Sequence, residues 1–316
     1  MAEAALELYD LEVASLQLVV RATNRIYRVR SSDGPSFALR LASPGWRTRS
    51  DLQSEAMWLE AIARDTTIPA PRIVRASDGA AVVVCSADGV PTEHHATLMS
   101  WLPGVLLGRH LNEQNLGKLG ELFGRLHIHG AEWRPPPGFT ARKFDQIFAR
   151  GEPDVIFDAA QNDAHTPHTQ RIIHLTRDAV DAAYAALDPG DLRVIHCDLW
   201  HDNVKVHRGV LHPFDFEDTV WGYRLHDIAM AMLDLYEAGD PTQYEDLLAA
   251  FRRGYESELD WPAGDLSALQ VGRILWRVNW VARFQREHLR NNLAFTTRLF
   301  ERYLETGKLL PLHLSA

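Results

Sequence analysis

Residues 194–232 hold the densest run of side chains suited to chemistry. In His196-Cys197-Asp198-Leu199-Trp200-His201-Asp202-Asn203 the amide Asn203 follows Asp198 by five positions. Asp215-Phe216-Glu217-Asp218 begins twelve positions after Asn203, behind the apolar Phe214. A carboxylate on a loop between two short strands can accept a hydroxyl proton. An amide oxygen five residues on can reach a divalent cation, and a second carboxylate on the neighbouring hairpin can hold the same ion between phosphate oxygens. A few hard oxygen ligands suit Mg²⁺, which keeps waters and binds together with a nucleotide. Asp and Asn are ordinary turn residues one at a time. Their joint spacing is what points to phosphoryl transfer.

The elements that must position these groups follow from periodicity. Segments 16–20, 26–29 and 37–41 are short and rich in β-formers. Asn24 separates the first two, and Ser31-Ser32-Asp33-Gly34-Pro35 is hairpin chemistry between the second and third. Residues 51–64 switch to helical spacing, with Ala56, Leu59, Ile62 and Ala63 on one face, and Ile68-Pro69-Ala70-Pro71 stops them. Strands at 73–76 and 80–85 flank a Ser77-Asp78-Gly79 turn, and 97–102 runs into Pro103-Gly104. From Asn112 the pattern is mostly helical, with an irregular stretch at 134–168 and helices expected at 169–186, 226–237, 241–259 and 266–305. Short β-like pieces at 194–195, 204–206 and 211–214 bracket the chemistry. The reading is an α+β fold. A small antiparallel-sheet lobe with one helix spans 1–102, its hinge at 97–104. A larger, mostly helical catalytic and acceptor-binding lobe spans 103–316.

Composition narrows the function. The 316 residues suggest about two domains or lobes. Lys+Arg 33 against Asp+Glu 42 leaves a net charge of −9, which argues against a nucleic-acid coat. The longest apolar runs, such as 80–85, fall far short of the ~20 residues of a membrane helix. Two cysteines, Cys85 and Cys197, with no C-x-x-C spacing, fit a cytoplasmic protein. The 15 histidines include His94-His95 and His127-x-His129, but no H-E-x-x-H spacing marks a zinc site. Ser100 has no G-x-S-x-G context, so no serine hydrolase is indicated.

The central segment resembles the aminoglycoside phosphotransferase and choline kinase superfamily, whose usual form is H-G-D-L-H-x-x-N followed by I-D-F-[GED]-[DE]. Gly222-Tyr223-Arg224-Leu225-His226-Asp227-Ile228-Ala229 is similar to its G-x-x-x-x-D-[LI]-A extension. The resemblance implies a bilobal, protein-kinase-like fold that uses ATP and Mg²⁺. It implies Asp198 as catalytic base, Asn203 and Asp215 as magnesium ligands, and structural roles for His196 and for Asp227, which would brace the catalytic loop. Phe37-Ala38-Leu39-Arg40-Leu41 resembles the strand whose Lys or Arg meets the α- and β-phosphates, and Glu55 falls where the ion-pair Glu lies. Thr97-Leu98-Met99-Ser100-Trp101-Leu102-Pro103-Gly104 resembles the hinge, placing Met99, Ser100 and Trp101 at the nucleotide. Gly120-Glu121-Leu122-Phe123-Gly124-Arg125-Leu126-His127 resembles the family's helix ending in Leu-His. The likeness spans about 16–235.

Departures are visible too. Arg40 stands in place of Lys, keeping charge with fork geometry. Ala22-Thr23-Asn24 contains no glycine, so no G-x-G-x-x-G clamp covers the phosphates. Cys197 stands where Gly is usual, with packing as its expected role, and Trp200 where His is common, as in the ketosamine kinases. Asp202 and Glu217 add charge that either supports the metal or is merely solvated. On the helix expected at 269–288, Val271, Ile274, Leu275, Val278, Val281 and Ala282 form a core face. Arg273, Trp276, Arg277, Trp280, Phe284 and Glu287 share the other face. Trp276, Arg277 and Trp280 either line an acceptor pocket or pack against 134–168. The expected activity is transfer of the γ-phosphoryl group to a hydroxyl of a small metabolite, with no nucleic-acid or membrane partner. The alternatives are a stress-response-type protein Ser/Thr kinase of the same fold and a catalytically inactive nucleotide-binding module.

Overall fold

In the computed structural model, which describes every residue except 87, 88, 90, 91, 239, 241 and 310–316, a five-residue helix, α1 (Ala2–Leu6), precedes an antiparallel meander. Its strands are β1 (Val13–Arg21), β2 (Asn24–Ser31) and β3 (Ser36–Ala42). Alternation explains the burial. Leu39 and Leu41 of β3 lie at 0% and 1% exposure on a core face shared with Ala5, Leu6 and Leu98. Arg40, between them, points to the other face. Helix α2 (Arg49–Asp65) begins with a capping box, Thr48 and Asp51 satisfying each other's backbone N–H groups. Short strands β4 (Ile73–Val74) and β5 (Val83–Cys85) both pair with β6 (His94–Ser100), giving the sheet order β1-β2-β3-β6-β4. The strand expected at 80–85 shortens to its last three residues because Gly79 and Ala80 complete a turn, Gly79 donating to Ala76.

Strand β7 (Val105–Leu106) is followed by α3 (Glu113–Glu132), α4 (Pro167–Ala185) and β8 (Arg193–Ile195). Strands β9 (Val204–His207) and β10 (Val210–Pro213) form a hairpin that pairs with β7. Its two turn residues, Arg208 and Gly209, both have positive φ (50° and 77°), the requirement of a tight turn whose twist matches the strands. Strand β11 (Val220–Gly222) pairs with β8, and α5 (Arg224–Ala238), α6 (Tyr244–Glu256), α7 (Leu266–Phe284) and α8 (Leu289–Thr306) complete the chain.

One helix over 266–305 was the expectation, and the structure corrects it. The helix breaks at Gln285 (φ −141°, ψ 46°), and a short 3₁₀ turn at Arg286–His288 leads into α8. At 1.5 Å per residue an unbroken helix would run about 60 Å, past any core able to cover it. Folding back lets Leu293 and Phe300 of α8 join Val180 of α4 and Leu275 and Val278 of α7 in one core. Glu287 is therefore off the helix that was to present it.

Contacts divide the chain into two units, neither continuous in sequence. The first comprises Met1–His110, Glu132–Ala141 and Asp202–Thr219; the second comprises Leu111–Ala131, Arg142–His201 and the chain from Val220 on. The first is an α+β unit built on the six-stranded sheet. The second is mostly helical, with α3 and α6 in backbone contact through glycines: a Cβ on Gly254 would lie 1.8 Å from the Gly117 carbonyl oxygen. Both cysteines are free and buried. Among the described residues no helix is long and apolar enough to cross a membrane.

Candidate active site

In the first unit the chemistry gathers around Arg40. Its side chain is 2% exposed and forks onto the equally buried Glu55 of α2, with Nη1 donating to Oε1 at 3.0 Å. The expected pair between these two residues is present. The same Nη1 lies 3.7 Å from Asp215 Oδ1 and 3.7 Å from Glu217 Oε2. Burial works against the charge on Arg40, but Glu55, Glu217 and Asp215 outweigh it and raise its pKa. For Glu55 burial dominates and raises the carboxyl's pKa, against the pull of Arg40.

The β9–β10 hairpin explains why twelve residues separate Asn203 from Asp215. Val204 pairs with Pro213, so the next rung brings Asn203 beside Phe214, whose N–H donates to the Asn203 carbonyl at 2.9 Å. Asp215 comes next, in the left-handed region at φ 64°. Asp tolerates this conformation better than most residues. Phe216 is fully buried and meets the Trp58 ring of α2 edge-on at 5.4 Å, anchoring the Asp215–Glu217 turn to the helix that carries Glu55. Asp215 leaves 41% of its side chain open. Lost hydration, then the neighbouring Glu217 carboxylate, push its carboxyl up to about 7, with Arg40 pulling the other way.

Glu217 is a tie rather than a solvated charge. It accepts from Asn24 Nδ2 at 2.5 Å and from Trp46 Nε1 at 3.0 Å, joining the β1–β2 turn to the loop before α2. Arg47, beside Trp46, pairs with Asp218. At the end of β6, Met99 is buried and pairs with Ala38. Ser100 exchanges hydrogen bonds with Arg72, its Oγ and backbone N–H both engaged at 2.9 Å. Trp101 N–H donates to Ser36 O at 3.0 Å.

In the second unit, β8 leads into the loop carrying Asp198. Cys197 sits in the left-handed region at φ 67°, where the resembling family has glycine. Asp227, at the start of α5, takes the Cys197 N–H on Oδ1 at 2.7 Å, fixing the turn one residue before Asp198. Its Oδ2 lies 3.0 Å from His127 Nε2 of α3, and His127 Nδ1 lies 2.9 Å from the Tyr255 hydroxyl of α6. Burial favours neutral His127, so its one ring N–H, placed on Nε2, serves Asp227 while Nδ1 accepts from Tyr255. His196 is 1% exposed, and its Nδ1 accepts the Asp198 N–H at 3.3 Å. His226 Nδ1 accepts the Tyr184 hydroxyl at 2.9 Å; burial pushes this imidazole down to about 3. Cys197 packs with Phe144, Ile195 and Val220, as expected.

The three aromatic and basic residues of α7 do not converge on one partner. Trp276 Nε1 donates to Glu152 Oε1 at 2.9 Å, within the irregular segment. Arg277 forks onto Glu237 of α5, and Trp280 stands 38% exposed beside Phe284. Asn279, next to Trp280, is buried and bonds both Pro153 O and Val155 N–H, so the irregular segment lies along α7.

Sequence reasoning missed several groups. His127 was noted as a helix end and as one of a His-x-His pair, yet it meets Asp227 one hundred residues away. Tyr255 and Arg47 carried no signal at all. Asn24 could have been flagged as the polar residue replacing glycine at the β1–β2 turn.

The phosphotransferase enzyme family model matches residues 16–294, past the 16–235 span of the motif likeness and into the C-terminal helices. No curated protein matches the sequence. Solved structures similar to the chain include a microcompartment-associated aminopropanol kinase, at 22% identity over 98% of each chain with a TM-score of 0.79. An amicoumacin kinase in complex with AMP-PNP, Ca²⁺ and Ami is similar at 17% identity, over 99% of this chain and 96% of its own, with a TM-score of 0.76. A spectinomycin phosphotransferase in complex with ADP and spectinomycin follows at 11% identity, 98% and 94% coverage and a TM-score of 0.61.

Proposed function

Because the chain belongs to the phosphotransferase enzyme family, we propose that it transfers the γ-phosphoryl group of ATP to a hydroxyl of a small molecule. The observation that carries this reading is the placement of Arg40. It is held rigidly by Glu55 and borders the Asp215–Glu217 carboxylates on the exposed side. A buried, pre-oriented guanidinium is suited to phosphate oxygens, and carboxylates beside it are suited to a cation that bridges them.

The donor set fits Mg²⁺. Asp215 and Glu217 together carry more negative charge than the one arginine beside them offsets. Among the described residues no three His, Cys, Asp or Glu side chains cluster as a complete metal cage. Asn203 and Asp215 would therefore supply two oxygens, leaving the remaining positions to phosphates and waters, the habit of Mg²⁺ at nucleotide sites. Bound there, the ion would neutralise charge on the transferring phosphates. Arg40 binds the α- and β-phosphates. Met99, Ser100 and Trp101 border the base. Asp198 orients the acceptor hydroxyl and accepts its proton, and Asp227, through the Cys197 N–H, holds the Asp198 loop in position. The aminopropanol and amicoumacin kinases carry small-molecule acceptors in their names, which supports a small acceptor here.

A test uses purified protein with Mg²⁺ and ATP, scanning hydroxyl-bearing metabolites, amino alcohols among them, for acceptor-dependent ADP release. With an acceptor in hand, Asp198→Asn should lose turnover by 10²–10⁴, roughly the worth of a general base, yet keep Mg·ATP binding. That binding is read as thermal stabilisation, about 2.7 kcal/mol at a hundredfold excess over Kd. Asp215→Asn should lose both turnover and the Mg²⁺-dependent stabilisation. Near-normal transfer by Asp198→Asn would refute the base. Unchanged Mg·ATP binding by Asp215→Asn would refute the metal site.

A further inference from the structure

Among the described residues of the first unit, Arg28 and Lys205 share one indole and neither has a carboxylate partner. Arg28 of β2 stands with its guanidinium 4.8 Å from the centre of the Trp101 ring, and Lys205 of β9 places Nζ 4.5 Å from the same ring. Among the described residues the Arg28 side chain makes no ion pair or hydrogen bond, and its Nε is buried without a partner. Lys205 makes one hydrogen bond, from Nζ to the Leu102 carbonyl at 3.1 Å. Cation–π contact with one indole offsets only part of the mutual repulsion.

The strand register says where the pair sits. Ile26, Arg40 and Thr97 are opposite one another across β2, β3 and β6, and Arg28, Ala38 and Met99 form the next row on the same face. Directly opposed residues share a face, and the next row on that face lies two residues on, about 7 Å along the strands. If Arg40 meets the phosphates, Arg28 lies one row toward Trp101, where the ribose and base of the same nucleotide belong. Everything the pair presents there is a hydrogen-bond donor, and the nearby Leu102 carbonyl is already engaged by Lys205. A guanine edge offers two acceptors, O6 and N7. An adenine edge offers N7 and, beside it, the N6 amino group, itself a donor.

We infer that Arg28 and Lys205 read the acceptor edge of a 6-oxopurine, so that this protein takes GTP as phosphoryl donor at least as readily as ATP. This deepens the phosphotransferase reading and rests on its assignment of Arg40. The oxygen at position 6 completes the charge balance that the protein leaves open, and the adenine amino group would instead face an ammonium.

Calorimetric titration of the full chain with Mg·GDP, Mg·ADP and Mg·IDP tests this without an acceptor. IDP keeps O6 and N7 and lacks the 2-amino group, so it isolates the oxygen. GDP and IDP should bind alike and at least as tightly as ADP. Lys205→Met should weaken GDP and IDP at least tenfold and ADP less than threefold, while Lys205→Arg, which keeps donors, should retain GDP binding. Tenfold preference for ADP in the parent, or equal weakening of all three nucleotides by Lys205→Met, would overturn the inference alone. Binding of no nucleotide would overturn it together with the phosphotransferase reading.

Discussion

Replacing Arg40 by methionine strands Glu55. Both side chains are 2% exposed, and Arg40 Nη1 lies 3.0 Å from Glu55 Oε1. At an effective permittivity near 20, two unit charges at 3.0 Å attract by about 5.5 kcal/mol. The carboxylate has a cheaper course, which is to take up a proton. Its ordinary value is 4.5. At pH 7 neutralisation therefore costs about 3.4 kcal/mol, at 1.36 kcal/mol per pH unit. The smaller figure decides. Arg40→Met should destabilise the fold by about 3 kcal/mol at pH 7. In the variant the folded state holds a proton that the unfolded chain releases above 4.5, so the loss grows with rising pH and shrinks on acidification. At pH 5 it should be under about 1 kcal/mol. Asp215 and Glu217 lose the same cation, so the Glu55 share is isolated by repeating Arg40→Met in a Glu55→Gln background, where it should cost less than half as much. Urea unfolding at pH 5, 6 and 7, followed by tryptophan fluorescence, reads each free energy. Equal losses in both backgrounds, or a loss that grows on acidification, would refute the reasoning.

Gly254→Ala should cost about 3 kcal/mol or more, because the new methyl would collide with the Gly117 backbone between two helices that cannot both shift; thermal melting by circular dichroism checks it. Cys197→Gly should be more stable than Cys197→Ala by about 1 kcal/mol, since both lose the thiol but only glycine relieves the φ of 67°; equal melting temperatures would contradict this. Asp234 of α5 is pushed up to about 6 by burial, against the pull of Arg273 and Arg277. Its folded state therefore keeps a proton that the unfolded chain loses near 3.8, and stability falls as pH rises between those values. Asp234→Asn should accordingly stabilise the protein at pH 8 by on the order of 2 kcal/mol and leave it unchanged near pH 3.5, measured by unfolding at both pH values.

The chemistry-bearing segment was legible in the chain because its parts are local. Asn203 and Asp215 flank one hairpin, so its register brings them to adjacent strand ends. Strand alternation likewise put Arg40 on the face opposite Leu39 and Leu41. The period of 51–64 put Glu55 on a helix free to face it, and the observed pair is the outcome. Local patterns carried the antiparallel sheet and most helices for the same reason. Tertiary structure decided what joins distant segments. His127 and Asp227 meet across one hundred residues, and only packing of α3, α5 and α6 brings them together. Glu217 read equally well as metal support or solvated charge until Asn24 and Trp46 were seen to converge on it. The break at Gln285 carries no proline or glycine signal, since what ends α7 is the core that α8 must fold back to cover. Trp276 and Arg277 share a helix face, but that face meets two neighbours, and Glu152 and Glu237 draw the two side chains apart. A hydrophobic pattern states which side of an element turns inward; it does not state which other element waits there, because that depends on contacts far apart in sequence.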